Sequence, residues 1–246
     1  NTMLGRIQHA FDAQRRFTAD ASHELRSPLT ALRGEIEIAL RRDRTTEEYR
    51  EVLRSNLDEI LRLTRIIEDL LTLARADDEA LRGGDEGVRA GTLARRIVER
   101  LERQARDKDV DLALQVKEDG EVRLDPGLLG QILWNLTDNA VKFTPAGGRV
   151  DVSVERSTQA LDIQVADDGP GLGANPERLF ERFYRADSVR TPGATASGTG
   201  LGLSIVQAIV DGFGGRIDAD NASAGGARFR VVLPLADTCR ETPDTA

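Results

Sequence analysis

Cysteine is nearly missing: Cys239 is the only one in 246 residues. That excludes a disulfide framework and a thiolate metal site. Histidine is almost as scarce, with His9 and His23 alone, which argues against a zinc centre. His23-Glu24 opens like a zinc-protease helix, but Ser27 stands where that motif requires its second histidine. No apolar run approaches the length of a membrane span and no signal peptide is visible, so no membrane contact is expected of these residues. Positive charge is in deficit, with a formal net charge of -8, which argues against a nucleic-acid partner. Lysine is rarer still: Lys108, Lys117 and Lys142 are the only three among 34 basic residues.

What is present is globular in balance, 39% hydrophobic and 31% charged, with room for one large domain or two ordinary ones. The chain begins Asn1-Thr2-Met3 and enters a helical pattern at once, which suggests a fragment of something longer. Leu4, Ile7, Phe11, Thr18, Ala21, Leu25 and Leu32 alternate in steps of three and four, predicting one long helix from about 4 to 41. Pro28 removes a hydrogen bond to the carbonyl of Glu24, so a bend is expected just after His23. With Ala21 and Leu25 in the seam, His23 faces solvent beside Glu24, a nucleophile next to a base. His9 projects the same way, and periodicity alone makes both histidines equally good solvated surface residues.

After a charged turn at 42–45, a second helix is predicted over 46–76, with Leu53, Leu57, Ile60, Thr64, Ile67, Leu71 and Ala74 as its seam. Ile66, Leu70 and Leu73 widen the apolar face beyond what one partner helix can hide. A second copy of the hairpin can cover it, giving a homodimeric four-helix bundle through residues 1–76. The competing arrangement lays a single hairpin on the next domain. Residues 1–78 form the first domain, 79–90 a charged, glycine-bearing linker, 91–236 the second domain, and 237–246 a polar tail.

The second domain alternates helices (about 93–108, 126–143 and 201–213) with strands (110–116, 149–154, 161–166, 216–219 and 227–233), and 122–124 reads as a short partner strand. That pattern predicts one sheet with helices on a face. Asp125 is the expected N-cap of the middle helix, with Pro126 in its first turn. On that helix Asn135, Asn139 and Lys142 make one polar stripe, and amides with a lysine suit a magnesium–phosphate group. Alone, the stripe would read as the polar edge of a surface helix. Asp167-Asp168-Gly169-Pro170-Gly171 ends a buried strand in a carboxylate and a glycine turn, where an exocyclic amine and a flat ring can approach. Gly198-Thr199-Gly200-Leu201-Gly202 precedes an apolar helix and forms an anion cradle, without the Rossmann spacing or the Gly-Lys of a Walker loop. Phe180-Glu181-Arg182-Phe183 lies between those two sites and pins one end of a segment rich in small residues, 186–197.

His23-Glu24-Leu25-Arg26-Ser27-Pro28, followed in order by these four stretches, resembles the sensor histidine kinases of two-component systems across residues 10–235. The resemblance implies a dimerisation and histidine-phosphotransfer hairpin followed by a Bergerat-type α/β sandwich that binds ATP and Mg²⁺. In it, His23 would be the phospho-acceptor, Glu24 its general base, and Ser27 the residue positioning water for regulator dephosphorylation. The family commonly has threonine or asparagine there, and serine keeps the hydroxyl of threonine without its rotamer-restricting methyl. Asn139 would ligate magnesium, Asn135 and Lys142 would meet phosphates, Phe143 would lie near adenine or ribose, and Asp167 would take the adenine amine. Gly169, Gly171, Gly198, Thr199, Gly200, Leu201 and Gly202 would shape the pocket, with 174–200 as its lid. The implied partner is the receiver domain of a response regulator, and the implied location is the cytoplasmic side of an inner-membrane sensor. Two rivals stand beside this reading. One is an ATPase or chaperone-like relative in which His23 has no role; the other is a dimeric scaffold with a dead nucleotide site.

Overall fold

A computed structural model describes residues 2–77, 87–173, 175–184, 199–222 and 225–235, with only the backbone for 2–17, 20 and 77. The chain divides into two compact units, 1–72 and 73–246. The linker core at 78–86, most of the expected lid and the tail from 236 lie outside the described residues.

The first unit is a pair of long helices, α1 (Thr2–Leu40) and α2 (Thr46–Asp77, whose last turn falls in the second unit). α1 continues as helix across Pro28. Thr45 opens α2 with a reciprocal cap: its Oγ1 accepts from the Glu48 N–H while Glu48 Oε2 accepts from the Thr45 N–H at 2.7 Å. Within one chain Pro28, Ala39, Asn56 and Ile66 are buried. The seam read along α2 is not what this hairpin hides. Leu53, Leu57, Ile60, Ile67 and Leu71 remain 48–67% exposed, whereas Ile66, taken from the sequence as mere widening, is buried. The two faces of α2 are therefore both apolar, and one of them stays exposed among the described residues.

In the second unit, α3 (Ala90–Asp107), α4 (Pro126–Phe143) and α5 (Gly202–Gly212) pack on a five-stranded sheet of order β2-β4-β5-β7-β6. The strands are β2 (Asp111–Glu118), β4 (Arg149–Arg156), β5 (Ala160–Asp167), β6 (Arg216–Asn221) and β7 (Ala227–Pro234). β2 and β4 run parallel and the other neighbours antiparallel. Strict alternation puts Val150, Val152 and Val154, Leu161, Ile163 and Val165, and Phe229, Val231 and Leu233 in the core beneath the helices. The opposite face carries exposed ion pairs such as Arg149–Asp111 and Arg228–Asp220, each of little energetic weight.

Two expectations need correction. The short strand at 122–124 is β3 (Glu121–Val122), and it pairs with β1 (Val88–Arg89) rather than with β2. The linker read as 79–90 therefore stops earlier, since Val88 and Arg89 are strand and Ala90, fully buried, opens α3. Two residues flanked by charge and glycine offer no periodicity from which to read a strand.

Gly226, at the entry to β7, has φ +83, and a Cβ there would lie 1.7 Å from the Asp167 carbonyl oxygen. Gly225 shares the positive φ, +96, but its Cβ would meet nothing within 4 Å. Gly225→Ala is therefore expected to cost about 1 kcal/mol and Gly226→Ala about 3 kcal/mol or more, compared by urea unfolding.

Candidate nucleotide site

α4 is the rail along which the site is built. Asp125 caps it as expected, its Oδ1 accepting from the N–H of Gly127 at 2.8 Å and of Leu128 at 3.3 Å. Ile132, Leu133, Leu136, Ala140 and Val141 fasten one face to the core. Asn135, Asn139 and Lys142 are left half-buried on the other side. Asn135 faces the start of α5, since a Cβ on Gly202 would lie 3.3 Å from its Oδ1. Phe143, at the far end and 38% exposed, faces the Asp-Gly-Pro-Gly turn: a Cβ on Gly169 would lie 3.1 Å from its carbonyl oxygen. Eight residues of helix separate Asn135 from Phe143, about 12 Å along the axis.

Asp167 ends β5 with its side chain turned inward and 6% exposed. Its Oδ1 accepts from the N–H groups of Gly169 (2.8 Å) and Ala227 (3.1 Å). No described residue donates to Oδ2. Burial pushes the carboxyl above the ordinary aspartate value, against those two donors, and the neighbouring Asp168 charge pushes the same way. Asp168 plays a different part. Exposed, it accepts from the Arg149 N–H at 2.9 Å and fixes the start of β4. The turn is held from outside by Asn221, whose Oδ1 accepts from the Leu172 N–H at 2.9 Å.

The glycine stretch meets the aromatic one. Gly200 has φ +72, and its carbonyl accepts from the Phe183 N–H at 3.0 Å. A Cβ on Gly200 would lie 2.7 Å from the Phe183 carbonyl carbon, so the approach needs glycine. Phe183 itself sits at φ +62, uncommon for an aromatic residue. Thr199 Oγ1 accepts from the Leu201 N–H, and Leu201 is fully buried. α5 then begins at Gly202 with no side-chain cap, leaving N–H groups of its first turn for an anion. Gly198 lies outside the described residues.

These positions fit a nucleotide. The Asn135 Nδ2 is buried without a partner among the described residues, an orphan donor that a phosphate oxygen would satisfy. The Asn139 side chain has no hydrogen-bond partner among them either and presents an amide oxygen of the type a hard cation takes. No group of three or more acidic, histidine or cysteine ligands forms among the described residues, so a cation here would depend on amide and phosphate oxygens. Lys142 is already engaged, its Nζ 2.6 Å from Asp138 Oδ2. Sequence reasoning missed Asp138, Asn221 and Gly226. The first was legible as an i, i+4 partner of Lys142. Asn221 acts on Leu172 from 49 residues away and Gly226 on Asp167 from across the sheet, and only the Gly225-Gly226 pair before the last strand hinted at the second.

In the first unit His23 is exposed, as the seam predicts, with Glu24 half-buried and Ser27 exposed. No hydrogen bond joins His23 to Glu24, and neither has a side-chain partner among the described residues.

A phospho-acceptor helix pair followed by an ATPase-type sandwich defines a class, and the comparisons agree with it. Residues 13–79 match the His Kinase A (phospho-acceptor) domain, and 124–237 match the histidine kinase-, DNA gyrase B- and HSP90-like ATPase. The sensor protein IrlS of Burkholderia pseudomallei is 39% identical over 235 residues, covering 95% of this chain and 50% of its own length. Among solved structures, the mycobacterial sensor histidine kinase MprB is 31% identical, with a TM-score of 0.52 over 61% of this chain and 97% of that one. The Acinetobacter baumannii histidine kinase AdeS is 25% identical, with a TM-score of 0.70 over 87% of this chain and 98% of that one. The chain belongs to the sensor histidine kinases of two-component systems, and its second unit is an ATP-binding domain. It spans about half the length of the curated relatives it matches.

Asp167→Asn separates binding from folding. The folded protein binds a proton at Asp167 more tightly than the unfolded chain does. Its charged form therefore costs stability as pH rises from the ordinary aspartate value through the raised one. At neutral pH the asparagine protein should melt no lower than wild type. Its amide nitrogen would face either the two backbone donors or whatever donates at the Oδ2 position, so a ligand that donates there should lose about tenfold to a hundredfold in affinity, read by calorimetric titration with ATP.

Proposed function

We propose that the chain is an ATP-dependent protein-histidine kinase in which His23 takes the γ-phosphoryl group and passes it to an aspartate on a response-regulator receiver domain. The observation that carries this reading is the co-occurrence, in one chain, of a solvent-facing His23 next to a half-buried Glu24 and of a buried Asn135 Nδ2 that no described residue satisfies. Asp167 Oδ2 accepts from the adenine amine, and Phe143 packs at the base or ribose. Asn135 Nδ2, Lys142 and the first turn of α5 hold phosphate oxygens, with Gly169, Gly171, Gly200 and Gly202 keeping Cβ atoms out of the way. Gly198 and the segment from 174 to 200 complete the pocket in this reading. Asn139 holds Mg²⁺, which neutralises phosphate charge when bound.

Phosphoryl transfer asks for alignment and charge compensation rather than covalent help. One imidazole nitrogen of His23 attacks the γ-phosphorus in line, the bond to the β,γ-bridging oxygen breaks, and ADP leaves. Glu24 accepts the proton from the other nitrogen, which removes the positive charge that would otherwise build on the ring. The phosphohistidine then donates to the receiver aspartate, and Ser27, one turn further along the same helix, positions the water that hydrolyses the aspartyl phosphate to aspartate and inorganic phosphate. The two units must meet for the first step, which asks the linker read from the sequence at 79–90 to let one move against the other. A cytoplasmic position within a membrane-anchored sensor belongs to the same proposal; no described helix is long and apolar enough to cross a membrane.

The hairpin acts as a homodimer through residues 1–76. Leu29, Ile36, Leu53, Leu57, Ile60, Ile67 and Leu71 are all at least 41% exposed in one chain. Each gains about 1 to 2 kcal/mol when covered, and a second copy presents the same stripe.

Incubating the protein with labelled ATP and Mg²⁺ should give acid-labile, base-stable label that His23→Gln abolishes. Label surviving in that variant would overturn His23 as the acceptor, and release of phosphate to water with no label on the protein would overturn the kinase reading in favour of a plain ATPase. In sedimentation equilibrium the intact chain should run at twice its monomer mass. Leu57→Asp with Ile60→Asp should shift it to monomer while ATP affinity stays within about twofold, since both lie outside the nucleotide unit.

A further inference from the structure

Lys142, read above as a phosphate ligand, does not stand free. Its ammonium lies 2.6 Å from Asp138 Oδ2, one helical turn back, in a pair whose side chains are 32% and 13% exposed. Asp138 is itself anchored: its Oδ1 accepts from Gln104 Nε2 of α3 at 3.1 Å. One turn beyond Gln104, the Lys108 ammonium donates to the carbonyls of Val141 (3.0 Å) and Lys142, the last carbonyls of α4. The corner that follows Lys108 is tied to the loop after α4 as well, with Gly147 N–H donating to the Asp109 carbonyl at 2.6 Å. Thus the end of α3 and the corner after it hold the end of α4 and its following loop through the Gln104 and Lys108 side chains and one backbone contact, and the Gln104 contact ends on the charge partner of Lys142.

We propose that Asp138, held by Gln104, is a positioning residue that tethers Lys142 and sets nucleotide affinity lower than the site could otherwise reach. The inference rests on the reading of Lys142 as a phosphate ligand. Two effects oppose each other. The tether pre-orders a long side chain, which favours binding; it also neutralises the one lysine of the site with a shielded carboxylate, which disfavours a polyanion. Removing a whole charge from a partly desolvated pair outweighs the rotamer freedom regained by one lysine, because attraction between charges is several times stronger there than in water. The nucleotide must draw the ammonium away from Asp138 or share it. Binding that is less than maximal lets spent ADP leave, which a kinase that turns over requires.

The test is calorimetric titration of the full chain with Mg-AMPPNP and with Mg-ADP. Asp138→Asn keeps the shape and the Gln104 contact and removes the charge, and should tighten both dissociation constants roughly threefold to tenfold. In a Lys142→Ala background the same change should leave affinity within about twofold, because the effect acts through the lysine. Gln104→Ala should move affinity in the same direction as Asp138→Asn by a smaller factor, and it provides the second reading should the asparagine variant fold poorly. Affinity unchanged or weakened in Asp138→Asn, or an equal gain with and without Lys142, overturns the tether. Wild-type protein that binds neither nucleotide would instead sink the assignment of the site, and the tether with it.

Discussion

The second unit depends on how closely the start of β7 approaches the end of β5. At that point the Gly226 backbone lies against the Asp167 carbonyl, and the next residue, Ala227, gives its N–H to the Asp167 side chain. A side chain of any size at 226 would push the strand away and remove one of the two donors that make a buried carboxylate tolerable. With those donors in place, one oxygen is satisfied by the protein and the other is kept for something else. A buried carboxylate with one oxygen lacking a donor among the described residues costs stability, the kind of exchange met at functional sites. Asn221 and Asp168 hold the surrounding turn, so the cost stays local.

α4 turns that local arrangement into an extended site. Its buried stripe fixes the helix on the sheet, and its polar stripe then has no freedom in where it points. The start of α5 at Asn135 and the glycine turn at Phe143 are brought to opposite ends of one rigid element. Precision across roughly 12 Å is therefore set by helix geometry rather than by loops.

Much of this was legible beforehand. Asp125 as cap, the Asn135–Asn139–Lys142 stripe, the strand ending in Asp167 and the helix after Gly202 are local patterns, each specified by neighbours within a few residues. What escaped was non-local or two-sided. Gly226 acts on Asp167 across the sheet, and β1 finds β3 only in three dimensions. On α2 the three-four spacing was correct, but both faces are apolar, and spacing cannot rank two apolar faces. The chain's own hairpin buries Ile66 and leaves Leu57 and Ile60 outside. Asp138 was overlooked for another reason: a charged residue on a half-polar helix looks like solvated surface until its partners across α3 are seen.

The hydrogen bond between Phe183 and Gly200, made by two residues that both carry positive φ, closes the chain on itself at the foot of the intervening stretch. Once a loop is tied at its base, its length becomes a weak variable, each doubling costing only about 0.6 kcal/mol in closure entropy. The two tied ends, Phe183 and Gly200, therefore carry the geometric demand of this stretch, and a change in the number of residues between them weighs little on the closure itself.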